Sequence, residues 1–234
     1  MNQGWTALAQ SQLLWLTVTL VAFEGADRIS KRSGRHPLCH PVFLCTPVLI
    51  AILVASGTPY PRYAEATWIL GFLLGPATVG LAVPLWRNRA VVRRTAGPLL
   101  LALTAGSITA IASAVGIVWA FGGTRAIIAS VAPRSVTTPV AMALAEQIGG
   151  VPALAAVIVL LSGVVGAMGA TPLLNRLKLQ DLSVRGFAVG VAAHGFGAAR
   201  AFQVSEIGGA FASIGMALNA AMTAILLTIW ALLG

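Results

Sequence analysis

The chain has 234 residues, 58% of them hydrophobic and 9% charged, with a net charge of +9. Soluble domains carry about 25% charged residues, so this composition excludes a water-soluble fold and marks an integral membrane protein. The positive charge does not indicate a nucleic-acid surface either, because most of the Lys and Arg residues fall in three short loops between apolar stretches.

Apolar stretches of about 18 residues or more are read as spanning helices. The first, Trp5–Phe23, lacks a basic leader region and is read as a retained span, not a cleaved signal. Arg28, Lys31, Arg32 and Arg35 follow it in a loop that the positive-inside rule keeps in the cytoplasm, which puts the N-terminus outside. Leu38–Ser56 runs outward, and Cys39 and Cys45 at its start are read as unpaired packing residues. Ala66–Leu85 returns, with a kink predicted at Gly75-Pro76 and an end at Pro84. Arg87, Arg89, Arg93 and Arg94 mark the second cytoplasmic loop, from which Gly97–Phe121 exits. Val151–Leu174 and Gly208–Leu233 complete about six full spans, with the C-terminus expected outside.

Segment 124–149 decides the architecture. If it crossed the membrane, the loop holding Arg176, Lys178 and Arg185 would fall outside, against the charge rule. If it turned back as a re-entrant hairpin, that loop would fall inside. Arg125–Val131 and Pro139–Ile148 are each only two to three turns long, too short to span singly. The same logic makes 183–206 a hairpin entering from the cytoplasmic side. The fold expected is therefore all-α, with about six full spans plus two re-entrant or broken hairpins arranged as an inverted repeat. Two kinked full crossings, produced by Pro133 and Pro139, are the alternative. The first four spans, 1–122, form one half, a scaffold and partner surface. Residues 123–234 form the other, carrying both hairpins and the substrate site.

The two breaks share a pattern. Pro133-Arg134-Ser135-Val136-Thr137-Thr138-Pro139 leads to Ile148-Gly149-Gly150, and Ala192-Ala193-His194-Gly195-Phe196-Gly197 leads to Ile207-Gly208-Gly209. Irregular backbone and charge at membrane depth are tolerated where they line a site. Thr138-Pro139 is a helix start, with Thr138 as cap, and aims free amides and a positive dipole end at the break. With Arg134 and the hydroxyls of Ser135, Thr137 and Thr138, these groups suit a carboxylate. The bland alternative is that the hydroxyls cap freed backbone and Arg134 pairs internally.

At the second break Gly186, Gly190 and His194 share one helix face, so a neighbour can approach closely and the imidazole ends the seam beside Gly195 and Gly197. His194 could bind substrate or carry a proton, or simply pack. Arg200 is expected to pair with Glu146 or Glu206, and otherwise to meet substrate. The two glutamates lie about 12–14 Å along their helices from the breaks, where a structural or gating ion pair fits better than a ligand role. Gly215, Asn219 and Thr223 form a small and polar stripe on the last span. Asn219 is within reach of the site, although interhelical hydrogen bonding is its default role. Gly163, Gly166 and Gly169 signal tight packing. No catalytic triad, metal set or phosphate loop is evident, so an enzyme is not expected.

The stretch Pro133 to Met142 with Ile148-Gly149-Gly150 resembles the LrgB/CidB family of bacterial membrane proteins. So does Arg185 to Ala201, followed by Glu206, Gly209-Ala210-Phe211 and Met216, as do Leu74-Gly75-Pro76-Ala77-Thr78 and Ala82-Val83-Pro84-Leu85. The likeness covers nearly the whole chain and is strongest over 131–223. It implies one of two roles in the bacterial cytoplasmic membrane. One is transport of small 2-oxo or 2-hydroxy monocarboxylates such as pyruvate, glycolate and glycerate, as in the similar plastid carrier. The other is antiholin- or holin-like control of murein hydrolase activity and lysis. It also implies a separately encoded LrgA-like partner. No cofactor is expected; a coupling ion, proton or sodium, is left open, as is a homodimer. The chain departs from the family pattern where hydroxyl residues near the histidine are replaced by Val191, Ala193 and Ala198, which shifts recognition toward the first break.

Overall fold

The computed structural model describes residues 12–34, 39, 41–80, 86 and 89–233, and among these all regular structure is helical. The expected spans Trp5–Phe23, Leu38–Ser56 and Ala66–Leu85 therefore lie partly outside the described residues, as do Arg35, Pro84 and Arg87. The chain clusters into two compact units, Met1–Gly80 and Leu81–Gly234.

In the first unit α1 is Gln12–Arg32, α2 Pro41–Ser56, α3 Tyr60–Ala66 and α4 Trp68–Gly80. The basic end of α1 is laced by Arg28–Glu24 at 2.7 Å and Lys31–Asp27 at 2.5 Å, both at helical i, i+4 spacing. Gly57, at φ 64°, and Pro59 turn the chain so that α2 and α3 meet at 116°. Trp15 packs edge-on against Tyr63, whose hydroxyl lies 2.9 Å from that of Thr19, tying α3 to α1. Both cysteines are free, Cys45 being buried, and Pro76 sits within α4 without ending it.

The second unit holds α5 Arg89–Arg94, α6 Ala96–Ala120, α7 Arg125–Val131, α8 Thr138–Gln147, α9 Pro152–Arg176, α10 Leu182–Val204 and α11 Glu206–Leu233. Of the described helices, α6, α9 and α11 are long and apolar enough to cross a membrane, and the bent pair α2–α3 would make a fourth if counted as one span. At about 1.5 Å per residue, the 28 residues of α11 cover more than a bilayer's hydrocarbon depth.

Between the long helices the chain folds back twice. After α7 it reverses through 132–137, so that α8 ends beside the start of the hairpin. Gly149, at φ 81°, terminates α8, and Val151 then donates its amide to Ser130 Oγ at 2.7 Å. From there α9 runs in the direction of α7, and Ser162 on it reaches the carbonyl of Arg134. The second reversal lies inside α10, at His194, whose φ of 40° and ψ of −128° break the helix. Gly197 is thereby returned against the carbonyl of Val189, a contact impossible along a straight helix. The incoming arm of α10 lies parallel to α11, with Gly186 backed onto the carbonyl of Gly208 and Gly190 onto that of Ala212. No Cβ fits at either crossing, so glycine there lets two helices touch backbone to backbone.

α9 fixes the relation of the two hairpins. Its start meets Ser130 of the first, while Ala170 and Leu174 near its end meet Val189 on the incoming arm of the second. Gly166 lies on Ala193 and Gly163 on His194. The hairpins thus enter from opposite ends of α9, and their tips meet beside its middle.

Candidate functional site

The first tip is a short turn in which Arg134 donates its amide to Val131 and Val136 donates to Pro133, at 3.1 and 3.2 Å. Residue 137, not 138, is the cap of α8. Thr137 holds the extended conformation (φ −69°, ψ 149°), and Thr138 already belongs to the first turn with Pro139. The Thr137 side chain makes no capping hydrogen bond, so the amides of the first turn point at the break without a hydroxyl closing them off. Both threonines are half-buried.

The Arg134 carbonyl accepts from Ser162 Oγ at 3.0 Å. Its guanidinium is half-buried and makes no ion pair or side-chain hydrogen bond among the described residues. Ser135 is 1% exposed. Its carbonyl and hydroxyl both accept from the Asn219 amide, at 2.9 and 3.3 Å.

Asn219 on α11 is fully buried and joins four elements. Its amide nitrogen also donates to the carbonyl of Val191 at 3.2 Å, and its oxygen accepts from Ser107 of α6 at 2.7 Å and from Thr223 at 3.5 Å. The reason lies in the breaks. Val191 lies in the last turn before the reversal at His194, where its carbonyl accepts from Asn219. For Ser135 the residue four positions on is Pro139, which has no N–H to offer its carbonyl. In a lipid setting such groups must be satisfied internally, and one asparagine satisfies both.

His194 is 2% exposed. Its Nε2 lies 3.1 Å from the carbonyl of Val159, and the ring stands edge-on to Phe196 over Gly163. Gly195 lies near Met216, and Gly197 is buried in the return arm. Arg200 is brought to neither tip. It lies near the hairpin mouth, where it donates to Gln203 at 3.1 Å. The expected ion pair with Glu146 or Glu206 does not form among the described residues, and both glutamates are exposed.

A cleft of about 720 Å³ lies between α6, the incoming arm of α10 and the first tip. Among the described residues, Arg134 is the sole charged one on its wall. Leu99, Ala102 and Gly106 of α6 and Phe187, Ala188 and Val191 of α10 line it, Gly106 packing directly on Val191. Thr109 and Ser113 share the Arg134 end, while Thr95 and Ser183 lie at the other. That second end adjoins Arg93, Arg94 and Arg185 in the chain. Asp181 caps α10 there: its carboxylate accepts from the Ser183 hydroxyl and from the amides of Ser183 and Val184, which hold its pKa below the ordinary aspartate value. Among the described residues no group of His, Cys, Asp and Glu could hold a metal ion.

Ser107, Ser162, Thr109 and Ser113 were not singled out from the sequence. A lone hydroxyl in an apolar helix is the available signal: Ser162 satisfies the Arg134 carbonyl at the first tip, and Ser107 satisfies the side-chain oxygen of Asn219, which bonds both tips.

The folded unit is thus that of a helical membrane protein with two opposed hairpins and an arginine-ended cleft. The LrgB-like family profile matches residues 19–233, and the chain belongs to that family. It is 35% identical to YwbG of Bacillus subtilis over 209 residues, covering 89% of this chain and 92% of that one. It is 26% identical to the holin-like protein CidB of Staphylococcus aureus over 221 residues, 94% and 96% of the two chains, and 29% identical to YxaC of Bacillus subtilis over 210, 90% and 91% of the two. No solved structure matches the chain.

Proposed function

We propose that this protein carries small monocarboxylates across the bacterial cytoplasmic membrane. The observation that supports it best is Arg134, a half-buried cation with no counter-ion among the described residues, at the end of a cleft. A charge at that depth is costly and ordinarily marks a ligand or ion path. Arg134 and the open first turn of α8 at Thr137 and Thr138 hold the carboxylate. Thr109 and Ser113 contact its polar end. The basic residues around Thr95 and Ser183 draw anions to the mouth, which the positive-inside rule places in the cytoplasm. Asn219 and His194 keep the two tips in register, and His194 remains the candidate for proton coupling. In this reading the six spans and two hairpins form an inverted repeat, the termini lie outside, and an LrgA-like membrane protein completes the transporter.

A second reading is holin- or antiholin-like control of murein hydrolase activity. The name of CidB favours it more directly than it favours transport. Such an assembly needs self-association but no convergent anion site. Counterflow of labelled pyruvate in proteoliposomes, with and without an LrgA-like partner, separates the two. Saturable exchange that Arg134→Ala abolishes is expected of the carrier. Leakage of unrelated solutes that is indifferent to Arg134→Ala would establish the second reading instead.

A further inference from the structure

The cleft is far larger than a three-carbon acid and falls in the range, about 300–1,000 Å³, of sites for much bulkier ligands. Its polar groups are also unevenly placed. The Arg134 end holds one cation and two hydroxyls. From Leu99 to Gly106 on α6, and from Phe187 to Val191 on α10, the wall is entirely apolar, with Phe211 behind it. This apolar reach covers about 10 Å of α6 at 1.5 Å per residue.

Resting on the carrier reading above, we infer that the preferred substrate is a monocarboxylate with an apolar chain of about four to six carbons, its carboxylate on Arg134 and its chain along Val191, Phe187 and Leu99. A second carboxylate would lie against this wall with no cation to meet it and would lose its water without replacement. Hydroxyls along the chain would find no partner. Each methylene fully buried on the wall gains about fourfold in affinity. Ala188 and Ala192 are small, exposed side chains on the wall of the cleft.

The test uses the full chain in proteoliposomes exchanging labelled pyruvate at pH 7.4, with 2-oxo acids as competitors because they stay ionised. The branched six-carbon 4-methyl-2-oxopentanoate should half-inhibit exchange at a concentration at least tenfold below that of unlabelled pyruvate, and 2-oxoglutarate should not compete. Ala188→Phe, which fills the apolar reach, should raise the value for the branched acid at least tenfold and that for pyruvate less than twofold. Equal potency of the two monocarboxylates, or equal effects of Ala188→Phe on both, would overturn the chain preference while leaving Arg134-dependent exchange intact. Calorimetric titration of both acids into purified protein runs in parallel, so that absence of exchange and of binding for either acid rejects the carrier reading together with this one.

Discussion

Asn219 donates to the carbonyl of Val191 at 3.2 Å, in the last turn before the chain reverses at His194, and to that of Ser135 in the opposing hairpin at 2.9 Å. The same side chain accepts from Ser107 at 2.7 Å. The two tips are therefore held by one residue on a third element, at a depth where water cannot substitute.

Asn219→Leu should destabilise the protein by about 1–3 kcal/mol, the cost of leaving buried backbone acceptors unpaired. Ser107→Ala alone should cost less, about 0.6 kcal/mol, in line with single hydrogen bonds between membrane helices. In the double variant the Ser107 effect should vanish, because its acceptor is gone. Thermal unfolding in detergent measures all three; strict additivity would show that Ser107 and Asn219 act separately.

His194 occupies a conformation close to the first central position of a type II′ turn, which favours glycine. Its side chain compensates through Val159. His194→Gly loses that contact but relieves the backbone, whereas His194→Ala loses it and keeps the strain. The alanine variant should be the less stable by about 1–2 kcal/mol. The reverse order in unfolding temperature would refute the turn assignment.

Gly163 faces the imidazole so closely that an added Cβ would lie 2.6 Å from Cε1 and Nε2 and 2.7 Å from the Phe196 ring. Gly163→Val should displace the second tip, at a cost of about 1–3 kcal/mol. Gly169, with open space around it, should accept alanine with no loss. Folded yield and unfolding temperature of the two variants give the comparison.

Arg134 makes no compensating pair among the described residues, so its charge contributes nothing to folding that leucine would lack. Arg134→Leu should unfold at an equal or higher temperature while exchange of pyruvate disappears. Arg134→Lys should retain partial exchange, since it keeps the charge but loses the planar fork. A marked drop in unfolding temperature for the leucine variant would give the arginine a structural role instead.

Asp181 adds a pH dependence. Its pKa is lower in the folded protein than in the unfolded chain, so its cap stabilises fully above the ordinary aspartate range and is lost as pH falls through the depressed value. The difference in unfolding temperature between wild type and Asp181→Ala should hold constant from pH 7 to 5 and close below the ordinary aspartate value. A difference independent of pH would mean that the carboxylate is not the cap.

Composition alone determined the membrane class, because a chain with 9% charged residues has too little polar surface for water. Local chemistry likewise determined the short helices Arg125–Val131 and Thr138–Gln147, through Pro139, the threonines and the Gly149 stop. Those signals act within a few residues and are legible as such. The cap was misplaced by one position because two adjacent threonines compete for it and only the backbone angles choose. Which side chains meet was decided by the tertiary structure. His194 ends a glycine seam in sequence, yet the reversal turns its ring onto Val159 of a different helix. Arg200 is six residues from the tip, and the return arm carries it away toward the mouth. Asn219 read as part of a small, polar stripe with interhelical hydrogen bonding as its default role, and it fills that role, but its partners were not legible. It became the junction of both breaks because the acceptors it satisfies are backbone carbonyls, identical in every residue and exposed only where the folded chain leaves its helical ladder.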